Sequence, residues 1–212
     1  FIYRSSHDLR GPITSLLGLS QLTRKEAGNK NLDKYFDMIN LSCQHMLKLL
    51  KKLNDANMVF KSEKNISKIF WNQILNEVDA ELQALDHGKE VTIEINNAIK
   101  DTIFSDPFLL KIIIHNLMEN AIIFKSKKAN PPSVKLSLNL DGKMLTIKIR
   151  DNGSGIDPKI QDKLYGLFYR GSENSIGNGL GLYLVQKSVD LLDGQIVLES
   201  KVNGFTEFTI TV

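Results

Sequence analysis

Hydrophobic positions recur along this chain with two different periods, and the change of period divides it. Between residues 31 and 60, Leu32, Phe36, Ile39, Cys43, Met46, Leu50 and Leu53 follow one another at spacings of 4, 3, 4, 3, 4 and 3. That heptad predicts a long helix with a seam for other helices. Upstream, Leu9, Ile13 and Leu16 form a shorter stripe that ends near Ala27-Gly28-Asn29. Two helices joined by a short turn make an antiparallel αα-hairpin. One hairpin offers too little partner surface to bury both stripes, so a four-helix bundle made by dimerisation is expected.

After the charged stretch Lys61-Ser-Glu-Lys64 the pattern changes. Residues 71–86 read as a helix, and Val91 to Ile95 alternates like a strand. A helix is predicted from Pro107 to Lys125, capped by Ser105 or Asp106. Val134–Leu140 and Met144–Ile149 form a hairpin across Asp141-Gly142. Leu180–Leu192 reads as a helix closed by Asp193-Gly194, and Ile196–Ser200 pairs with Phe205–Val212 around Asn203-Gly204. Hairpin-linked strands mixed with helices predict an α+β fold, a helix-and-sheet sandwich with a mixed sheet. The expected domains are residues 1–62 and 66–212.

Composition narrows this only a little. Of 212 residues, 42% are hydrophobic and 24% charged, an ordinary globular profile. No apolar run approaches the roughly 20 residues that span a bilayer. The single cysteine, Cys43, fits a reducing compartment, so a cytoplasmic location is expected. A net charge of +3 is too slight to argue for nucleic acid. It is unevenly spread: residues 1–64 carry 11 Lys and Arg against 6 Asp and Glu, and the remainder 16 against 18. Because the chain opens on Phe1, it reads as a fragment, with a membrane or sensory region expected upstream and membrane attachment of the full protein left open.

Chemistry-bearing residues fall into four groups. In Ser6-His7-Asp8-Leu9-Arg10-Gly11-Pro12, His7 lies about 200° around a helix from Leu9 and so faces away from the stripe. Pro12 removes a backbone donor and is expected to bend or loosen that helix. Asn116 and Asn120, at i and i+4, share a helix face, and an amide oxygen is a suitable hard ligand for Mg²⁺. Asp151-Asn-Gly153-Ser-Gly155 directly follows a strand, where an Asp can accept from an exocyclic amine. Gly177-Asn-Gly179-Leu180-Gly181 opens a helix, where backbone N–H groups and the helix dipole favour phosphate. No spacing among His45, His87 and His115 points to a metal site.

The order and spacing of these motifs resemble the catalytic core of a two-component sensor histidine kinase over essentially the whole chain. Residues 1–12 match the family's H box, Asn116–Phe124 its N box and Asp151–Ile156 its first glycine box. Phe168-Tyr169-Arg170 matches the F box and Gly177–Leu182 the second glycine box. The resemblance implies that His7 is the phosphoacceptor, with Asp8 holding its Nδ1–H so that Nε2 attacks the γ-phosphate of ATP. It implies Mg²⁺ on Asn120, with Asn116 near the phosphates, and Asp151 reading the adenine amine. Gly153 and Gly155 would shape the adenine pocket. Gly177, Gly179, Leu180 and Gly181 would bring backbone to the phosphates, and Arg170 would add positive charge. Residues 171–176 would be a short lid. A homodimer and a response-regulator receiver are the implied partners.

Two positions depart from the family pattern. Ile123 stands where Lys or Arg commonly contacts phosphate, and Lys125, two residues on, would point about 200° away on a continuing helix; weaker nucleotide binding is expected. Gly11 replaces a Thr or Asn that helps dephosphorylate the partner, so poor phosphatase activity is expected. The hydrolase relatives carry a Glu four residues before the metal-binding Asn, a position held here by Asn116.

Overall fold

The computed structural model describes residues 2–25, 32–61, 63–83, 90–126, 131–171 and 179–212. It divides into two compact units, Phe1–Met58 and Val59–Val212.

The first unit is built from α1 (Ile2–Lys25) and most of α2 (Leu32–Lys61). Helix α1 runs through Pro12 without interruption. Its 24 residues span about 36 Å, more than the seven Cα steps from Lys25 to Leu32 can return, so a compact pair must be antiparallel. The heptad divides into two registers. The less exposed positions of α2 include Tyr35, Ile39, Ser42, Met46, Leu49, Leu53 and Ala56, again spaced 4, 3, 4, 3, 4 and 3. Leu49 and Ala56 are buried, as is Leu19 of α1. Phe36 and Leu50, both in the predicted seam, stay in solvent at 59% and 49% exposure. The two registers share Ile39, Met46 and Leu53. One therefore closes the unit internally, and of the other's own positions Cys43 is half-buried while Phe36 and Leu50 are left uncovered.

The second unit is a two-layer sandwich. Strands β2 (Thr92–Asn97), β4 (Ser133–Asp141), β5 (Met144–Asp151), β6 (Gln195–Lys201) and β7 (Phe205–Thr211) form one sheet in the order β2-β4-β5-β7-β6. Only the β2–β4 pair is parallel, so the sheet is mixed as expected. Strands β1 (Ser67–Lys68) and β3 (Phe104–Ser105) make a separate two-stranded piece that the sequence pattern did not predict. On the inner face Val134, Leu136, Leu138, Leu145, Ile147, Ile149, Phe208 and Ile210 are buried. Between them point Lys135, Lys148 and Arg150, and the last two straddle Glu207 at 3.0 and 3.2 Å on the outer face.

The inner face meets α3 (Trp71–Gln83), α4 (Pro107–Ile123) and α6 (Gly181–Leu191), with α4 packed between the other two, while α5 (Pro158–Gln161) is a single turn capped by Asp157. Helix α4 is buried on nearly every side, because Leu109, Leu110, Ile112, Ile113, Ile114, Leu117, Met118 and Ile122 cover all its faces. Each such side chain contributes about 1.5–3 kcal/mol by leaving water. The cap is Asp106, whose Oδ1 accepts from the N–H groups of Phe108 and Leu109 at 2.9 and 3.1 Å. Its Oδ2 accepts from Asn65 N–H at 2.8 Å. Against α3, Lys111 meets Glu77 at 2.7 Å and Glu81 at 3.2 Å, while His115 Nε2 lies 3.1 Å from Glu81. His87 lies outside the described residues.

Candidate functional site

The buried α4 delivers the two asparagines to very different surroundings. Asn116 is 3% exposed; its Nδ2 donates to the Ile112 carbonyl at 2.8 Å, and its Oδ1 has no hydrogen-bond partner among the described residues. Asn120, one turn later, is only half-buried. The helix stops at Ile123, and Phe124 N–H closes its end on the Asn120 carbonyl. Lys125 is therefore already off the helix, so the expectation that it points 200° away on a continuing helix is replaced by a different constraint. Its ammonium is paired with Glu90. Ile123 is half-buried in the last helical turn.

The end of α4 supports the first glycine loop. Ser154 N–H donates to the Phe124 carbonyl at 3.0 Å, and the Ser154 carbonyl accepts from Asn203 N–H at 2.7 Å. Gly155 has φ +67°, and a Cβ there would fall 2.1 Å from the carbonyl oxygen of Lys201. Any other residue would drive the loop off the end of β6. Asp151, the last residue of β5, accepts from Gly153 N–H at 2.8 Å and from the backbone N–H of Thr206. Burial lifts its pKa to about 6, against the opposing pull of those two N–H groups and of Arg150.

The second glycine loop is locked to the F box. Gly179, at φ +69°, accepts from Phe168 N–H at 3.0 Å through its carbonyl, and Phe168 itself is at φ 60°. A Cβ on Gly179 would lie 2.5 Å from the Tyr169 carbonyl. Leu180 and Gly181 follow, both buried, and start α6. Arg170 is exposed just beyond Phe168 and Tyr169. Gly177 and residues 172–176 of the expected lid lie outside the described residues.

His7 and Asp8 sit in the first third of α1, and their side chains lie outside the described ones. Asp151, Gly153 and Gly155 form one contiguous cradle; Phe168, Gly179, Leu180 and Gly181 form a second. Sequence reasoning missed two residues here, Ser200 and Thr206. They are a cross-strand pair in the β6–β7 hairpin. The signal was present in the predicted turn at Asn203-Gly204, since counting back from it sets them opposite one another.

Comparisons with known proteins agree with this geometry. The family model for the histidine kinase-, DNA gyrase B- and HSP90-like ATPase matches residues 105–212, and that for the His Kinase A phospho-acceptor domain matches residues 1–58. The whole chain is 27% identical to the autoinducer 2 sensor kinase/phosphatase LuxQ of Vibrio vulnificus and 26% identical to the sensor histidine kinase RcsC of Escherichia coli. It covers 26% and 23% of those proteins, so it spans about a quarter of the length of the curated relatives it matches. Among solved structures, the Acinetobacter baumannii histidine kinase AdeS shares the fold at TM-score 0.75 and 21% identity, over 97% of this chain and 96% of that one. The histidine kinase ThkA, solved in complex with the response regulator TrrA, also gives 0.75, at 18% identity over 100% and 60% of the two chains. With an ATPase domain of this family over half its length and a phospho-acceptor domain ahead of it, the chain belongs to the histidine kinases and comprises the catalytic core of a sensor histidine kinase.

Proposed function

We propose that this core transfers the γ-phosphoryl group of ATP to His7 and then to an aspartate of a response-regulator receiver, acting as a homodimer within a longer sensor protein. The observation that carries the reading is the half-buried Asp151 carboxylate. It is fixed by two backbone N–H groups at the end of β5, beside a loop that only glycine can form. This is an acceptor already oriented for an amine donor, and it supports the assignment of adenine to Asp151, Gly153 and Gly155. The phosphates would then lie toward Gly177, Gly179, Leu180 and Gly181, where α6 begins, with Arg170 in reach of developing charge.

The half-buried Asn120 offers a hard amide oxygen at the last turn of α4, which fits Mg²⁺ held jointly by protein and phosphates. When bound there, Mg²⁺ would neutralise charge on the transferring group. Asn116 sits behind Asn120 and would orient that turn from within the core. In the covalent step a bond forms from His7 Nε2 to the γ-phosphorus as its bond to the β-bridging oxygen breaks, and ADP departs with that electron pair. Asp8 would keep the proton on Nδ1, leaving Nε2 free to attack. The phosphoryl group then passes to the receiver's carboxylate and restores His7. Dimerisation is supported by the exposed apolar side chains of α2, Phe36 and Leu50 among them. Among the described residues no helix is long and apolar enough to cross a membrane, and cytoplasmic placement of this core is part of the proposal.

The test is incubation with γ-labelled ATP and Mg²⁺, for the native chain beside His7→Ala. Acid-labile, alkali-stable label on the native chain alone is the expected result, with nucleotide binding equal in both. Label on neither chain, with nucleotide still bound, would replace the kinase by a signalling scaffold, a reading that Ile123 and the Lys125–Glu90 pair would favour.

A further inference from the structure

A single hydroxyl outside every recognised motif ties the adenine-side loop to the sheet. Ser200, in β6, accepts a hydrogen bond from Ile156 N–H at 2.9 Å and donates its own proton to the Phe205 carbonyl at 2.8 Å. Its remaining lone pair faces the Thr206 hydroxyl at 3.5 Å. One donor and two acceptor sites are thereby all engaged, the full hydrogen-bonding capacity of a hydroxyl. Its partners bracket the nucleotide loop on both sides. Ile156 ends the segment that starts at Asp151, and Thr206 supplies the backbone N–H that holds the Asp151 carboxylate. Gly155 lies immediately against the Lys201 carbonyl, so the spacing between loop and strand is set at this point with no slack.

We infer that Ser200 is a positioning residue for nucleotide recognition: it fixes the Asp151–Ile156 loop against the β6–β7 hairpin and so sets the discrimination for a 6-amino purine. This rests on the proposed reading of Asp151. Ser200 touches no reacting atom and acts through the loop alone. Without its hydroxyl, Ile156 N–H and the Phe205 carbonyl lose their partner in a half-buried place. The loop shifts, and the carboxylate leaves its orientation.

The experiment compares the native chain with Ser200→Ala and Ser200→Thr, measuring autophosphorylation with ATP and with inosine triphosphate, which carries an oxygen in place of the 6-amine. Direct binding of a fluorescent ATP analogue and thermal unfolding are measured on the same samples. For Ser200→Ala, KM for ATP is expected to rise about tenfold while kcat is retained. The preference for ATP over inosine triphosphate should fall about as much, and Ser200→Thr should restore both. An unchanged preference in Ser200→Ala would overturn the proposal, as would loss of preference in Ser200→Thr to the same extent as in alanine. So would a fall in kcat with KM intact. Failure of the native chain to prefer ATP over inosine triphosphate would instead sink the adenine reading of Asp151, and the role of Ser200 with it.

Discussion

The two units of this chain solve the burial problem in opposite ways. In Val59–Val212, α4 is enclosed by a sheet and two helices, and the inner faces of β4, β5 and β7 are closed to solvent. Among the described residues of Phe1–Met58 only Leu19, Leu49 and Ala56 are buried, while Ile13, Leu17, Phe36, Leu41, Leu47 and Leu50 remain 45–67% exposed. The difference follows from geometry. A sheet has one apolar face and can be covered by its own helices. A helix pair that carries two apolar registers covers only one of them. The nucleotide unit thus covers its own core, whereas the helical unit leaves apolar side chains that the proposed dimer would cover. An exposed apolar surface of this kind is what the proposed dimer interface would bury.

Neighbouring leucines give the sharpest way to break that contrast. Leu49→Glu places a charge in the closed register and is expected to unfold the helical unit, a loss of several kcal/mol by analogy with other buried charges. Leu50→Glu places it in the open register. It should leave helicity intact and convert a dimer to a monomer, read by sedimentation and circular dichroism. The nucleotide unit should keep its unfolding temperature in both. Equal unfolding by both substitutions would show that the registers are not separate.

Asp151→Asn tests whether the nucleotide unit sacrifices stability for its site. ATP affinity is expected to fall about ten- to a hundredfold, the worth of a hydrogen bond to a charged group. Stability should move the other way. Burial raises this carboxyl from 3.8 to about 6, so the folded state binds the proton more tightly than the unfolded chain does. The protonated form's advantage is complete below pH 3.8 and is lost as pH rises through 6. A neutral amide at this position would remove that cost: the variant should melt a few degrees higher at pH 7.5 and no higher at pH 4. ATP binding by the native chain should weaken as pH falls below about 6.

The smallest effect expected is at Ile123. With Lys125 occupied by Glu90, Ile123→Lys would add a cation at the last turn of α4, and ATP affinity should tighten by about three- to tenfold. No change, measured by calorimetry, would mean that phosphate lies out of reach of that position.

Much of this was legible in the sequence because it is encoded locally. The heptad, a cap at Ser105 or Asp106 before Pro107, and the Asp141-Gly142 and Asn203-Gly204 turns depend on residues within a few turns of helix or one hairpin. The glycine strings around Gly155 and Gly179 were also readable, since a backbone that approaches another backbone admits no side chain. Tertiary structure alone decided the rest. The split of the heptad depends on which side of α2 meets α1, and Ile39, Met46 and Leu53 serve both registers. The end of α4 at Ile123 and the pairing of Lys125 with Glu90, 35 positions earlier, depend on how the following loop packs. The raised pKa of Asp151 needs burial that outweighs the N–H groups of Gly153 and Thr206, the latter from a strand 55 positions away. Ser200 owes its role to a register that sets it opposite Thr206 and against Ile156, 44 positions away. Short-range stereochemistry fixes which elements form, whereas desolvation and hydrogen bonding at a site depend on what distant segments bring within about 3 Å, and no local pattern contains that.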